Sequence, residues 1–210
     1  MKKLLTEFIG TFFLVLTIGL VTVSGDAAGP LAIGAVLMVM VYMGGPISGA
    51  HFNPALSLTF LLRGKMATSD FVPYIVAQLL GSIAAAATVH LIVGRTFAPA
   101  PGEGVSALSA LLIELLFTFA LALVVMNVAA SKRSAGNSYF GLAIGFTVCA
   151  GAYAGGGISG GAFNPAVGIG PTLINATLGG GSFDQLWLYL AGPLAGAVLA
   201  AVVFGVQERD

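Results

Sequence analysis

Charged positions along this chain fall in a few short clusters, and between them lie apolar blocks too long to be one buried face of a water-soluble helix. A bilayer's hydrocarbon core, about 30 Å thick, needs about 20 apolar residues per spanning helix. Six blocks approach that length: Leu4–Val23, Leu31–Gly44, Phe71–Val93, Val105–Ala129, Tyr139–Ala154 and Phe183–Val206, the second and fifth only with their Gly-rich extensions. Two further apolar tracts, Ala55–Leu62 and Ala166–Leu173, are too short to cross, since about ten residues at 1.5 Å each give roughly 15 Å. Each follows an Asn-Pro dipeptide. Asn is a preferred N-cap and Pro a preferred first helical residue, so each tract reads as a half-length helix opened at Asn53 or Asn164.

Composition puts these blocks in lipid. Of 210 residues, 58% are hydrophobic and only 8% charged, against about 25% charged in an average soluble domain. Eight Lys and Arg cancel eight Asp and Glu, which leaves no clustered positive field for a nucleic acid. The single cysteine, Cys149, permits no intrachain disulfide and no zinc site; it reads as a packing thiol, with pore exposure as the alternative. No metal or cofactor is expected. With the N-terminus inside, Lys2, Lys3, Arg63, Lys65, Lys132, Arg133 and Arg209 are cytoplasmic and only Arg95 lies outside, which places both termini in the cytoplasm. Lys2-Lys3 before an apolar run also fits a secretory signal, but its removal would leave five spans, so the segment is kept as a helix. The 30 glycines recur at small-xxx-small spacing in Gly141/Gly145 and Gly192/Gly196, the pattern of close helix packing. The Pro- and Gly-rich stretch Gly94–Gly104 reads as a surface connector, and His90 as ordinary packing.

The chain also repeats itself. Ile47-Ser48-Gly49-Ala50-His51-Phe52-Asn53-Pro54-Ala55 returns as Ile158-Ser159-Gly160-Gly161-Ala162-Phe163-Asn164-Pro165-Ala166, and Glu7-Phe8-Ile9-Gly10-Thr11-Phe12 as Glu114-Leu115-Leu116-Phe117-Thr118-Phe119. One domain, 1–210, therefore divides into repeats at approximately 1–95 and 104–210. Three spans per repeat force the second to enter from the opposite side, which makes the repeats inverted about an axis in the membrane plane. Two half-helices entering from opposite faces then meet at mid-depth. Their Gly-rich lead-ins, Gly44–His51 and Gly155–Ala162, read as irregular backbone, tolerable there only if buried in protein or lining a wet cavity. The repeat predicts a pore.

The paired Ser-Gly-x-x-x-Asn-Pro-Ala boxes, with Glu in spans one and four, resemble the aquaporin or major intrinsic protein family over nearly the whole chain. The resemblance implies an all-α membrane fold of six transmembrane helices and two re-entrant half-helices. It implies a passive channel for water and small uncharged solutes, a homotetramer with a pore in each protomer, and a place in the plasma (inner) membrane. The pore midplane would be Asn53, Pro54, Ala55, Asn164, Pro165 and Ala166, with each capping asparagine's NH₂ free to meet a passing oxygen. Two helix N-termini of about +0.5 charge, some 5 Å from a cation at an effective dielectric near 20, repel it by roughly 3 kcal/mol, while a neutral solute feels little.

The resemblance also implies an outer filter of four positions, here Ile33, Ala152, Gly161 and Val167. Family members usually carry arginine after the second box, with aromatic or His residues nearby; this chain has Val167 and three small or aliphatic partners. An apolar, wider opening follows, admitting glycerol, urea, small amides and undissociated metalloid acids as well as water. His51 sits where the family often places a pore-facing histidine, and either gates with pH or is a satisfied loop residue. Glu7 and Glu114, as in relatives, would accept hydrogen bonds from the re-entrant loops and hold them, with a proton relay as the alternative.

Two other classes leave traces. Gly157-Ile158-Ser159-Gly160 matches a Gly-x-Ser-Gly pattern of intramembrane serine proteases, but Ser159 has a repeat twin in Ser48 and each box explains its serine as a loop residue. A coupled secondary transporter also uses inverted repeats, yet requires intramembrane ionisable groups beyond the two glutamates.

Overall fold

The computed structural model describes residues 1–209, and among them every regular element is helical. The order is α1 (Lys2–Ser24), α2 (Gly29–Ser48), α3 (Pro54–Leu62), α4 (Thr68–Val93), α5 (Ala107–Val125), α6 (Phe140–Ser159), α7 (Pro165–Leu178) and α8 (Leu188–Gln207). α5 continues into a π-helical segment, Met126–Ala130, and a 3₁₀ turn, Lys132–Ser134. Six helices, α1, α2, α4, α5 with its extension, α6 and α8, are long and apolar enough to cross a bilayer, and the protein is a multi-pass membrane protein. α3 and α7, at about 14 and 21 Å, are not.

Three boundaries differ from the sequence reading. The lead-ins are mostly helical: α2 and α6 run to Ser48 and Ser159 and stop at left-handed Gly49 (φ 87°) and Gly160 (φ 90°), so unwound backbone is confined to 49–53 and 160–164. In lipid each unpaired peptide group costs several kcal/mol, and the chain stays helical until a glycine can turn it. α7 runs past Leu173 to Leu178, through Pro171. The last span starts at Leu188 and not Phe183, because 183–187 form a turn around Asp184 and Trp187.

Glycines set the helix crossings, and they do so symmetrically. A Cβ on Gly81 of α4 would lie 2.5 Å from the Phe8 carbonyl oxygen of α1; one on Gly196 of α8 would lie 2.4 Å from that of Leu115 on α5. Between the halves, a Cβ on Gly34 of α2 would meet the Gly145 oxygen of α6 at 2.7 Å, and one on Gly145 would meet the Gly34 oxygen at 2.4 Å. Backbones touch where no side chain fits.

The start of α1 and the end of α8 lie on one face, here the terminal face, since Pro46 neighbours both Met1 and the 131–137 turn, whose Ser131 bonds Glu208; there Lys3 pairs with Asp70 (3.1 Å) and Arg133 donates to the Gln207 carbonyl. The stretch 94–106 on the opposite face is no simple surface connector. Phe97 is buried beside Gly19, and Gly102 N–H donates to the Ile158 carbonyl at 3.0 Å, so the stretch plugs back into the helices. Burial takes the Phe97 ring out of water, which favours the inward fold of the stretch.

Candidate functional site

Each re-entrant loop hangs from one carboxylate. Glu7 Oε1 accepts from Ser48 Oγ (2.6 Å) and His51 N–H (3.0 Å), and Oε2 from Phe52 N–H (2.7 Å) and Gln78 Nε2 (2.8 Å). Glu114 Oε1 accepts from Ser159 Oγ (2.7 Å) and Ala162 N–H (3.0 Å), and Oε2 from Phe163 N–H (2.7 Å). Both acids are fully buried. Tyr74 and Tyr189 hydroxyls complete the frame by donating to the carbonyls of Ser48 (2.8 Å) and Ser159 (2.6 Å). The frame forces an uncommon backbone: Phe52 and Phe163 sit at φ 50° and 49°, left-handed values that cost a non-glycine residue roughly 1–2 kcal/mol. The carboxylate bond to each of these same N–H groups offsets that strain.

The turns aim the two asparagines at each other. Asn53 Oδ1 accepts from Ala55 N–H (2.8 Å) and Asn164 Oδ1 from Ala166 N–H (2.9 Å), each capping its half-helix. Their amides are not wholly free, which corrects the sequence reading. Asn53 Nδ2 donates to the Phe163 carbonyl and Asn164 Nδ2 to the Phe52 carbonyl, both at 2.9 Å. An amide nitrogen has two hydrogens, so one of each ties the two loops together and one remains for the lumen. The loop carbonyls next to the caps are buried acceptors, and the other half's asparagine satisfies each.

Around this knot lie three spaces. A vestibule of about 700 Å³ opens on the face opposite the termini, and its walls include Ile33, Ala152, Gly161 and Val167. A central chamber of about 30 Å³, close to the volume of one water, is lined by Asn53, Asn164, His51, Ile33, Gly161 and Val167 among others. A second vestibule of about 350 Å³ opens on the terminal face, between α2, α5 and the 131–137 turn. All four filter positions thus share one wall, and none carries a charge or a ring. Pro54, Ala55, Pro165 and Ala166 are buried behind the asparagines and build the first turns of α3 and α7.

His51 is 5% exposed, its Nδ1 lies 3.0 Å from Ser57 Oγ, and its ring packs on Phe60 and Tyr74. Ser159 spends its hydroxyl on Glu114 and accepts from Gly161 N–H (3.1 Å), with no histidine beside it among the described hydrogen bonds. Cys149 is buried against Gly34 at the α2–α6 crossing. Sequence reasoning missed Ser57, Gln78 and Phe60, and the vestibule wall at Ala98–Ala100. Gln78 carried a readable signal, an amide in the middle of an apolar span. Phe60 carried none.

The family model for Major intrinsic protein matches residues 1–204. Among similar proteins, the glycerol uptake facilitator protein-like 6 of Lactiplantibacillus plantarum is 38% identical, the alignment covering 100% of both chains. The aquaporin NIP1-1 of Zea mays is 35% identical over 98% of this chain and 74% of its own. The X-ray structure of the aquaglyceroporin from Plasmodium falciparum superposes with a TM-score of 0.85 at 24% identity, covering 97% of this chain and 94% of that one, and shares the fold.

Proposed function

Because the chain belongs to the major intrinsic protein family, and is therefore a passive channel for water and small solutes and not an enzyme, we propose that its cargo includes uncharged solutes larger than water: glycerol, urea and undissociated metalloid acids. The observation that carries this reading is the uncharged wall of Ile33, Ala152, Gly161 and Val167 in the outer vestibule, three of which, Ile33, Gly161 and Val167, also line the chamber. An arginine at 167 would add about 3 kcal/mol against a cation some 5 Å away at an effective dielectric near 20, and would also fill part of the opening. Valine does neither. Cation exclusion then falls to the paired N-termini of α3 and α7, whose fields oppose positive charge at the chamber while leaving neutral molecules untouched.

In this reading Asn53 and Asn164 each present one N–H to the passing solute, and Glu7 and Glu114 fix the loops that hold them. The hydrogen bonds to both carboxylates favour a structural acid over a proton relay, since their oxygens are already engaged by loop and side-chain donors. The ring of His51, held by Ser57, Phe60 and Tyr74, favours a fixed pore lining over a swinging gate. Seven of the eight basic residues on the terminal side favour a cytoplasmic terminal face in the plasma (inner) membrane. Homotetramers are the proposed assembly, checked by native mass spectrometry of the detergent-extracted protein.

Stopped-flow light scattering of proteoliposomes tests the cargo. Val167→Arg is expected to lower glycerol and urea permeation while water flux persists. Unchanged glycerol permeation in that variant would show that position 167 does not line the solute path.

A further inference from the structure

The three spaces along the axis are not equally joined. The outer vestibule and the chamber share Ile18, Ile33, Gly161 and Val167, a single layer of side chains common to both. The chamber and the terminal-face vestibule share no lining residue among those described. Two tiers of side chains stand between them. Leu37, Leu121 and His51 face the chamber, and Val41, Val125 and Phe60 face the vestibule. Leu37 to Val41 on α2 and Leu121 to Val125 on α5 are steps of four residues, about 6 Å of rise each, so the partition is one helical turn thick. The His51 and Phe60 rings join the tiers with centroids 4.2 Å apart and planes at 31°.

We infer that this partition, and not the outer filter, sets the size limit and the rate for solutes, with Phe60 as the size-determining residue. The inference rests on the neutral-solute reading above and deepens it. His51 is fixed: its Nδ1 bonds Ser57 Oγ (3.0 Å), which accepts in turn from Gln78 Nε2 (3.1 Å), itself tied to Glu7 Oε2 (2.8 Å). With the Ser57 hydroxyl donating to Nδ1 the ring hydrogen lies on Nε2, and with Nδ1–H donating to Ser57 the Nε2 atom is an acceptor, so in either tautomer the ring holds one polar group for a passing hydroxyl. Phe60, near the end of the short helix α3, is 8% exposed and held by apolar packing, so its ring sets the bulk of the partition. The rest of the partition is aliphatic. A solute crossing it sheds water from every hydroxyl that His51 does not meet, and each unpaired hydroxyl raises the barrier. Selection therefore falls on size and hydroxyl number together, with glycerol and urea ahead of longer polyols.

The test uses the purified full chain in liposomes, with water, glycerol and erythritol as probes and Phe60→Ala, Phe60→Leu, Ile33→Ala and Val41→Phe as variants. Both Phe60 variants are expected to raise erythritol flux several-fold over the wild type, and by more than Ile33→Ala does. Val41→Phe, which adds a ring to the facing wall, is expected to bring water and glycerol down together towards empty vesicles. A larger erythritol gain in Ile33→Ala than in Phe60→Leu, or wild-type glycerol flux in Val41→Phe, overturns the inference. If Phe60→Ala fails to reconstitute, Phe60→Leu, which keeps most of the buried volume, decides. Should the wild type pass water but no glycerol, the wide-filter reading fails and the partition is still decided by water: Phe60→Leu raises it, and a greater rise in Ile33→Ala contradicts.

Discussion

The two re-entrant loops are built on one plan and filled differently. Common to both are the buried carboxylate, the serine that ends the preceding helix, the tyrosine of the following span that donates to that serine's carbonyl, the left-handed Phe, the asparagine cap and the bond across to the other half. The differences lie behind the pore wall. His51, Ser57 and Gln78 form a polar chain to Glu7, whereas the matching positions after Glu114 are Ala162, Gly168 and Pro193. Gly168 lets α8 close in, since a Cβ there would lie 2.5 Å from Tyr189 Cβ. What the fold requires is repeated. The polar chain behind the pore wall occurs in one half alone, so it is no part of the shared frame.

Removing a carboxylate should break both loops most severely. Glu7→Leu orphans four donors and Glu114→Leu three, at about 1–3 kcal/mol for each buried donor left unpaired. Thermal unfolding in detergent should show both variants losing the folded channel, Glu7→Leu the more so; wild-type stability in either would remove the carboxylate from the frame. Next come the crossings. Gly81→Ala and Gly196→Ala drive a methyl into a backbone oxygen, and each should cost about 1–3 kcal/mol, by equal amounts in the two halves. Asn53→Ala and Asn164→Ala should each lose a cap of about 1 kcal/mol and a cross-bond of similar size, again equally. The smallest effect belongs to the asymmetric part. Gln78 Oε1 is buried without a partner, so Gln78→Leu removes an unmet acceptor along with two donated bonds and should change stability by no more than about 1 kcal/mol. Its signature should be an altered water-to-glycerol ratio as the His51 ring loosens.

The fold was legible because lipid leaves few options. Apolar length gave the six spans, and the repeated Asn-Pro-Ala boxes gave two half-helices with inverted sense. Legibility failed where tertiary pairing overrides local composition. Gly44–Ser48 and Gly155–Ser159 look like broken backbone by their glycines, yet stay helical because nothing at that depth would satisfy them otherwise. The asparagine amides looked free because their acceptors, the Phe52 and Phe163 carbonyls, lie more than a hundred residues away in sequence. Phe60 resembles any apolar residue of a short helix, and only the stacking of His51 on it in three dimensions sets it apart.

The most direct measurement takes water, glycerol and potassium permeability of the purified wild-type protein in one vesicle preparation. A channel with an apolar, arginine-free mouth and two opposed half-helix N-termini passes both water and glycerol well above empty vesicles and leaves a potassium diffusion potential intact. Fast water flux with glycerol no faster than through bare lipid contradicts it.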